Sequence, residues 1–284
     1  MKILVTGYSG QLGYDVVREG KGRGYEIYGT SSRDLDITDK ESVFIHVEAS
    51  KPDVIIHCAA YTAVDKAEDD QERCHEVNVM GTKNLAEVAK AVNAKFVYIS
   101  TDYVFDGEGN EPFTEMDKPN PVGYYGVTKL EGEKIVQSVL DKWFIIRISW
   151  VFGMNGNNFI KTMLKLSESR GELNVVGDQF GSPTYTFDLS RLLIDIIETE
   201  RYGIYHASNE GFCSWAEFAK EIFKQSGRQV KVHAISTEEY PTRAVRPKNS
   251  RMSKQKLTDN GFKNLPTWQD ALARYLAELK LEVN

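Results

Sequence analysis

Residues 6–13 read Thr6-Gly7-Tyr8-Ser9-Gly10-Gln11-Leu12-Gly13 and follow a β-branched run that starts at Lys2. Glycine occupies every third position of this stretch. A bound phosphate needs bare backbone N–H groups at a helix N-terminus, and a helix that packs closely on the preceding strand favours a residue without Cβ. A plain glycine turn would look the same, but its position at the start of a β-α-β unit favours a dinucleotide site that includes Gly7, Gly10 and Gly13.

Outward from this turn, short β-branched runs alternate with longer amphipathic stretches through the first half of the chain. The runs are Lys2–Thr6, Tyr25–Gly29, Asp53–His57, Lys95–Ser100 and Trp143–Ser149, and the amphipathic stretches are Gln11–Glu19, Asp39–Ser50, Asp69–Val92 and Tyr124–Leu140. This alternation predicts an α/β fold of the Rossmann type, with a doubly wound parallel sheet covered on both faces.

The second half is less regular and predicts a smaller domain. We place a dinucleotide-binding Rossmann domain at residues 1–150 and a substrate-binding domain at residues 151–284. Residues 184–208 read as a helix and a strand that could pack back on the main sheet, so the second domain is predicted to be partly discontinuous. The span Gly227–Leu257 is rich in polar residues and proline, which is typical of loops.

Composition narrows the function classes. The 284 residues carry 35 basic and 41 acidic side chains, a formal net charge of −6. That balance argues against nucleic acid as a partner, because a phosphate polymer needs a basic face, and no apolar run is long enough for a membrane span. Three cysteines without CxxC spacing, five scattered histidines and no secretory signal pattern predict a cytoplasmic protein without disulfides or a metal site.

The end of the second predicted strand bears on the choice of dinucleotide. It runs into Ser31, Ser32 and Arg33, where enzymes that use NAD often carry an acid for the ribose 2′-hydroxyl. Hydroxyls and a guanidinium suit a 2′-phosphate, so the sequence favours NADPH, with NADH left open and a solvated polar loop as the alternative. Asp36, a little further on, could accept from the adenine amino group or cap the next helix.

Two groups of polar side chains predict redox chemistry. Tyr125 and Lys129 lie four apart in a predicted helix and therefore on one face. A phenol can serve as a proton donor near neutral pH if a cation lowers its pKa, which is the role expected of Lys129. Thr101 ends the fourth predicted strand beside Ser100, where ligands of open parallel sheets bind, and its hydroxyl can orient a substrate carbonyl. The alternative is that these residues only shape a turn.

Together these motifs resemble the extended short-chain dehydrogenase/reductase family, and within it the branch that reduces 4-keto sugars linked to a nucleoside diphosphate. The resemblance spans essentially the whole chain. Besides the glycine turn it is carried by Ala59–Glu68, Ser100–Gly107, Tyr125–Lys129, Ser149–Gly153, Gly181–Thr184 and Arg246–Ser250. It implies an oxidoreductase that uses NADPH to reduce the 4-keto group of dTDP-4-dehydro-L-rhamnose, giving dTDP-L-rhamnose for cell-surface polysaccharide.

The resemblance also implies residue roles. Thr101, Tyr125 and Lys129 become the catalytic set, and Asp102, Tyr103 and Trp150 become substrate contacts. Further cofactor contacts are implied for Gln11, Leu12, Asp36, Ile37, Ala59, Ala60, Tyr61 and Thr62. Because a diphosphate needs cations, we add Arg246 as a substrate contact, from a loop that also holds Arg243, Lys248 and Arg251.

Other functions remain open on the same motifs. Dehydratases of the family place an acid directly after Thr-Asp, where this chain has Tyr103, which favours reduction over elimination. A related epimerase, or a non-catalytic regulatory subunit such as the beta subunit of methionine adenosyltransferase, would share the fold. The resemblance also suggests a homodimer and, in some members, magnesium at a subunit interface, although no ligand cluster for it is evident in the sequence.

Overall fold

The computed structural model describes residues 1–283 and is built on a parallel sheet of six strands. Residues 1–283 form fourteen strands, eight of which pair outside this sheet. They are β1 (Lys2–Thr6), β2 (Glu26–Thr30), β3 (Val54–His57), β4 (Lys95–Thr101), β5 (Trp143–Ile148), β6 (Val151–Phe152), β7 (Glu172–Val176), β8 (Phe180–Gly181), β9 (Thr184–Tyr185), β10 (Gly203–His206), β11 (Asn209–Glu210), β12 (Cys213–Ser214), β13 (Lys231–Ile235) and β14 (Leu265–Thr267). The sheet order is β10-β5-β4-β3-β1-β2, which confirms the doubly wound α/β fold.

Helices cover both faces of this sheet and also build the second half. They are α1 (Gln11–Gly22), α2 (Lys40–Ser50), α3 (Val64–Ala67), α4 (Gln71–His75), α5 (Thr82–Ala91), α6 (Tyr124–Val139), α7 (Phe159–Leu166), α8 (Thr186–Ile197), α9 (Trp215–Ser226), α10 (Gln255–Asp259) and α11 (Trp268–Val283). No helix within residues 1–283 is long and apolar enough to cross a membrane.

The strands are buried on both sides because their side chains alternate between two separate cores. In β1, Ile3 and Val5 pack with α1 and α8, whereas Leu4 packs on the opposite face with α2 and α5. All four residues of β3 are buried. Continuous apolar strands of this kind are typical of parallel sheets with helices on both faces.

The sheet order reverses at β1, which pairs with β2 on one side and β3 on the other. In doubly wound sheets such a reversal opens a crevice at the carboxyl ends of the strands. Thr6 and His57 are register partners at that edge, and the Thr6 hydroxyl lies 2.8 Å from His57 Nδ1. The glycine turn and the residues after β3 therefore meet in one crevice.

The stretch predicted as one helix, Asp69–Val92, is not a regular α-helix. A π-helical segment, Glu76–Gly81, separates α4 from α5. Its extra residue per turn is invisible to a pattern based on 3.6 residues, and π segments recur at functional sites. Asn78 lies in this segment and is buried.

The second half returns to the main sheet before it forms its own core. Strand β10 pairs with β5, and Leu189 and Leu193 of α8 belong to the same core as α1. A third core, separate from the two on the main sheet, contains residues of α7, α9 and α11 beside the parallel pair β7 and β13. The span Gly227–Leu257 is less loop-rich than its composition indicates, because β13 lies within it.

Candidate active site

A cavity of about 590 Å³ lies at the carboxyl ends of the main strands. It brings together residues from the glycine turn, the end of β2, the segment after β3, the end of β4 and helix α6. Of the residues singled out in the sequence, it is lined by Gly7, Gly10, Gln11, Leu12, Gly13, Ser31, Ser32, Asp36, Ile37, Ala59, Ala60, Tyr61, Thr62, Thr101, Asp102, Tyr103, Tyr125, Lys129 and Trp150.

The glycine turn has no room for side chains. Gly7 has a φ of +71°, and a Cβ added there would lie 2.7 Å from the Ala59 nitrogen. A Cβ on Gly13 would lie 2.3 Å from the Gly7 carbonyl oxygen. Helix α1 thus starts directly against the strand with its N–H groups facing the cavity, which is the arrangement that phosphate binding needs.

The end of β2 differs in one respect from the sequence prediction. Ser31 and Ser32 line the cavity, but Arg33 is exposed and does not, whereas Arg73 from α4 does. The Asp36 carboxylate accepts hydrogen bonds from the backbone and the hydroxyl of Thr38, at 2.9 and 2.7 Å, and these bonds lower its pKa. The cation at this end of the cavity therefore comes from α4.

The segment after β3 is held in place by the π-helical turn. Asn78 accepts from the Tyr61 backbone nitrogen at 2.8 Å and donates to the Tyr61 carbonyl at 3.2 Å. It also donates to the Thr128 hydroxyl at 3.0 Å. One buried amide thus fixes the segment Ala59–Thr62 relative to helix α6.

Tyr125 and Lys129 lie one turn apart near the start of α6, beside the end of β4. The Thr101 hydroxyl donates to an Asp102 oxygen at 3.0 Å, and its proximity to the Tyr125 phenol opposes the rise in the pKa of that phenol. The buried Lys129 ammonium sits 4.1 Å from the centre of the Tyr98 ring. These residues are close enough to act on one bound group.

Burial dominates the protonation of this cluster. It raises the pKa of Tyr125 above its usual range, and the Asp102 carboxylate adds to the rise. It also lowers the pKa of Lys129 to about 7 and raises that of Asp102 to about 6. The net shift of the Tyr125 pKa is thus upward, opposite to the sequence expectation, because burial and the Asp102 carboxylate both disfavour the phenolate.

Trp150 and Trp215 mark the boundary with a second cavity. Trp150 adopts a left-handed backbone, with φ at 48°, and its ring stacks on Trp215 at 3.6 Å between centroids. Trp150 lines the first cavity, whereas Trp215 and Arg246 line the second, of about 970 Å³. Arg246 also donates to the Tyr103 hydroxyl at 3.3 Å and pairs with Asp65 at 2.5 Å.

With this geometry in place, comparison with known proteins gives the family. The sequence profile of the family described as RmlD substrate binding domain matches residues 1–281. The chain belongs to that family.

Several relatives of this RmlD family member are named dTDP-4-dehydrorhamnose reductase, and a spore coat polysaccharide biosynthesis protein, SpsK, from Bacillus subtilis is 40% identical over 277 residues, covering 98% of this chain and 97% of that protein. A dTDP-4-dehydrorhamnose reductase from Aggregatibacter actinomycetemcomitans is 42% identical over 286 residues, covering 95% of this chain and 97% of that protein. A crystal structure of such a reductase from Clostridium acetobutylicum has a TM-score of 0.97 at 45% identity, covering 99% of this chain and 100% of that one. Another, from Bacillus anthracis in complex with NADP, has a TM-score of 0.95 at 44% identity, covering 98% and 99%.

Sequence analysis of this RmlD family member did not single out some residues of the site. Asn78 and Arg73 lie in a stretch that reads as an ordinary amphipathic helix. Glu133 follows Lys129 by four residues and ion-pairs with Arg147 of β5, and both are buried. The spacing of Tyr125, Lys129 and Glu133 on one helical face was the available signal.

Magnesium, which the family resemblance suggests for some members, finds no suitable ligand set. No group of three or more His, Cys, Asp or Glu side chains within the described part of the chain could hold a metal ion. Asp15 and Asp188 are nearby acids, but Thr186 donates to Asp15 at 2.5 Å, and Arg274 binds both oxygens of Asp188. No chemical step is therefore assigned to a metal.

Proposed function

We propose that this protein is an NADPH-dependent dTDP-4-dehydrorhamnose reductase, which converts dTDP-4-dehydro-L-rhamnose to dTDP-L-rhamnose. The observation that carries the proposal is the meeting of Thr101, Tyr125 and Lys129 with the glycine turn in one cavity. The names of the full-length relatives, and the NADP bound in one of their structures, support the substrate and the cofactor.

The cavity suits a dinucleotide on the chemistry of its lining. The bare turn at Gly7, Gly10 and Gly13, with Gln11 and Leu12 at the helix N-terminus, would hold the pyrophosphate. Ser31, Ser32, Asp36 and Ile37 would face the adenosine, and Ala59–Thr62 with Lys129 would face the nicotinamide half. NADPH, when bound, supplies a hydride to the sugar carbon that carries the keto group.

Tyr125 supplies the proton that completes the reduction. A phenol with the usual pKa of about 10 is already neutral at physiological pH, and burial raises the pKa of Tyr125 further, so its proton is in place for general acid catalysis. Thr101 donates a hydrogen bond to the carbonyl oxygen, and the proton passes from Tyr125 Oη to that oxygen as it gains charge. The Lys129 ammonium stabilises the phenolate that remains.

The substrate would span both cavities. We place the sugar in the first, against Asp102, Tyr103 and Trp150, and the nucleoside in the second. Arg246 lies between them, because it lines the second cavity and contacts Tyr103 of the first. A bound diphosphate would compete with Asp65 for this guanidinium.

The proposal extends to the domain division and the setting of the enzyme. We assign residues 1–150, with 184–208, to the dinucleotide half and the remainder of 151–284 to the substrate half. Cys58, Cys74 and Cys213 are all free thiols, which supports a reducing cytoplasm. The homodimer and the absence of a nucleic-acid partner stay predictions, which light scattering and a gel-shift assay with random-sequence duplexes would check.

The test is to mix the purified protein with NADPH and dTDP-4-dehydro-L-rhamnose and to follow the absorbance of the reduced nicotinamide. We expect one NADPH consumed per dTDP-L-rhamnose formed, with slower turnover on the guanosine- and uridine-linked analogues. Comparing NADH with NADPH measures the preference for a ribose 2′-phosphate, which we attribute to Ser31 and Ser32.

The other functions give different results in the same experiment. An epimerase would interconvert sugars without net loss of NADPH, and a dehydratase would eliminate water. A non-catalytic subunit would bind NADPH, consume none with any nucleotide-linked 4-keto sugar, and bind a second protein tightly. Any of these outcomes would contradict the proposal.

A further inference from the structure

Glu133 is a buried carboxylate that accepts three hydrogen bonds from two residues. It lies in α6 and is 1% exposed. Arg147 of β5 donates to both of its oxygens, at 2.9 and 2.7 Å, and the Ser100 hydroxyl of β4 donates at 2.5 Å. Since Arg147 is 2% exposed, this is a fully desolvated ion pair.

The Glu133–Arg147 pair lies next to the proposed catalytic cluster, one helical turn beyond Lys129 on α6. Tyr125, Lys129 and Glu133 follow one another at intervals of four residues, so their side chains share one face of α6. The helix approaches β4 so closely that a Cβ on Gly132 would lie 2.2 Å from the Tyr98 hydroxyl oxygen. The Tyr98 hydroxyl donates to the Lys129 carbonyl at 3.3 Å, and the Lys129 ammonium lies over the Tyr98 ring.

Lys129 itself forms no ion pair with any residue in the described range 1–283. Burial favours its neutral amine, and the Glu133 carboxylate opposes that effect. The titratable or charged groups that face it are His57 at the end of β3, Cys58 after it, Cys74 of α4, Tyr98 of β4, Tyr125 and Glu133 on its own helix, and Arg147 of β5 behind Glu133.

We propose that Glu133, clamped by Arg147 and Ser100, is a positioning residue that keeps the Lys129 side chain on the Tyr98 ring and in its ammonium form. Arg147 fixes where the negative charge lies, and Ser100 ties the same carboxylate to the strand that ends in Thr101. The catalytic importance of this arrangement rests on the proposed function. Its effect on the protonation of Lys129 can be measured in the protein without any ligand.

The test measures the protonation of Lys129 directly. Lys129 is buried but lines the cavity, so the test uses an amine-reactive reagent small enough to enter the cavity, and only the neutral amine reacts. The rate of Lys129 labelling is followed by peptide mass spectrometry across a pH series in the wild type and in Glu133→Gln. The amide keeps the shape of the carboxylate but leaves the Arg147 charge uncompensated, so we expect the midpoint to fall by roughly one pH unit.

Two further variants separate charge from structure. Asp188→Asn breaks another ion pair of a buried carboxylate, with the half-buried Arg274, away from the cavity. It should lower thermal stability and leave the Lys129 midpoint unchanged. The double variant Glu133→Gln with Arg147→Met removes both charges, which is often tolerated, and should bring the midpoint back towards the wild-type value.

The double variant also covers the case in which Glu133→Gln alone does not fold. The inference is overturned if folded Glu133→Gln has the wild-type midpoint, or if Asp188→Asn shifts it equally. It is likewise overturned if the double variant has a midpoint well below that of the wild type. Failure of the proposed function would show separately, as absence of sugar reduction by a wild type whose Lys129 midpoint responds to Glu133.

Discussion

Tyr125 takes part in the proposed reaction as a neutral acid, and its surroundings favour that form. The phenol must lose a proton only when the substrate oxygen gains charge, so a raised pKa in the free protein is compatible with reduction. It follows that the hydroxyl, and not the ring, carries the chemistry.

Replacing Tyr125 with Phe should therefore lower kcat by a factor of about 10²–10⁴, the usual contribution of a general acid. The Kd for NADPH should change little, because the ring stays in place against Tyr103, at 5.7 Å between centroids. Steady-state rates and cofactor fluorescence measure the two quantities. Tyr124→Phe is the matched control, and near-normal turnover in Tyr125→Phe would rule out the assigned role.

Asp102 gives a prediction about stability and pH. Burial raises its folded-state pKa from 3.8 to about 6, so ionisation costs free energy in the folded protein. That cost is absent at the acid end and grows as the pH rises from about 4 through 6. Asp102→Asn removes it, so the free energy of unfolding of the variant relative to the wild type should rise over this interval by up to about 3 kcal/mol.

Urea unfolding at a series of pH values measures this difference. Asp117→Asn is the control of opposite sign, because hydrogen bonds from Thr114 lower the pKa of that exposed carboxyl. Its variant should lose stability relative to the wild type as the pH rises. Parallel curves for the wild type and Asp102→Asn would show that Asp102 has an ordinary pKa.

At the scale of elements, the junction of β1 and α1 tolerates no side chain. Gly13→Ala would push a methyl group against the Gly7 carbonyl, so the helix must move away from the strand. We expect a loss of about 1–3 kcal/mol in stability and much weaker NADPH binding. Gly22→Ala, at the other end of α1 with open space around it, should be neutral or stabilising by up to about 1 kcal/mol.

Thermal unfolding and cofactor titration of the two alanine variants make this comparison. Equal behaviour of Gly13→Ala and Gly22→Ala would mean that the turn relaxes freely and that close packing at Gly13 has no functional weight. The pair shares one helix and one substitution, so differences in helix propensity cancel.

The regular elements were predictable because their burial patterns are local. The five β-branched runs became β1 to β5, and all except β2 alternate between two apolar cores. The π-helical turn at Glu76–Gly81 was not, because its signal is one extra residue in an otherwise normal helical pattern. Strand β13 was hidden for another reason: none of its residues is fully buried, so its composition resembles that of a loop.

The site was predictable where a motif is contiguous and less so where it depends on approach in space. The glycine turn and Thr101 could be read from neighbouring residues. Which arginine lines the cavity near the end of β2 could not be read from the sequence, because Arg33 and Arg73 are equally polar and only the packing of α4 brings Arg73 to the cavity. The pairing of Glu133 with Arg147 likewise depends on how α6 lies across the sheet.

At the scale of the whole molecule, Arg246 links the two cavities, because it lines the second and contacts Tyr103 of the first. Arg246→Met should raise the KM for the nucleotide sugar roughly 10- to 100-fold, as expected for loss of a charge-assisted hydrogen bond worth about 1.5–3 kcal/mol. The Kd for NADPH should stay unchanged, since Arg246 does not line the first cavity. Initial-rate kinetics and cofactor titration check both parts.

Arg243→Met is the matched control, because Arg243 lies on the same loop, pairs with Asp69 on the surface and lines neither cavity. An equal rise in KM for both variants would mean that the loop acts through its attachment to residues 65–69. In that case the diphosphate contact would have to be sought among other cations.

The return of α8 and β10 to the main sheet has a consequence for recombination between homologues. A chimera joined once, near residue 150, would take the last strand of the sheet and a helix of its core from the other parent. Their side chains would then pack against β5 and α1 of a different parent. Exchange of substrate specificity therefore needs further junctions that bracket residues 184–208, so that α8 and β10 stay with their own sheet.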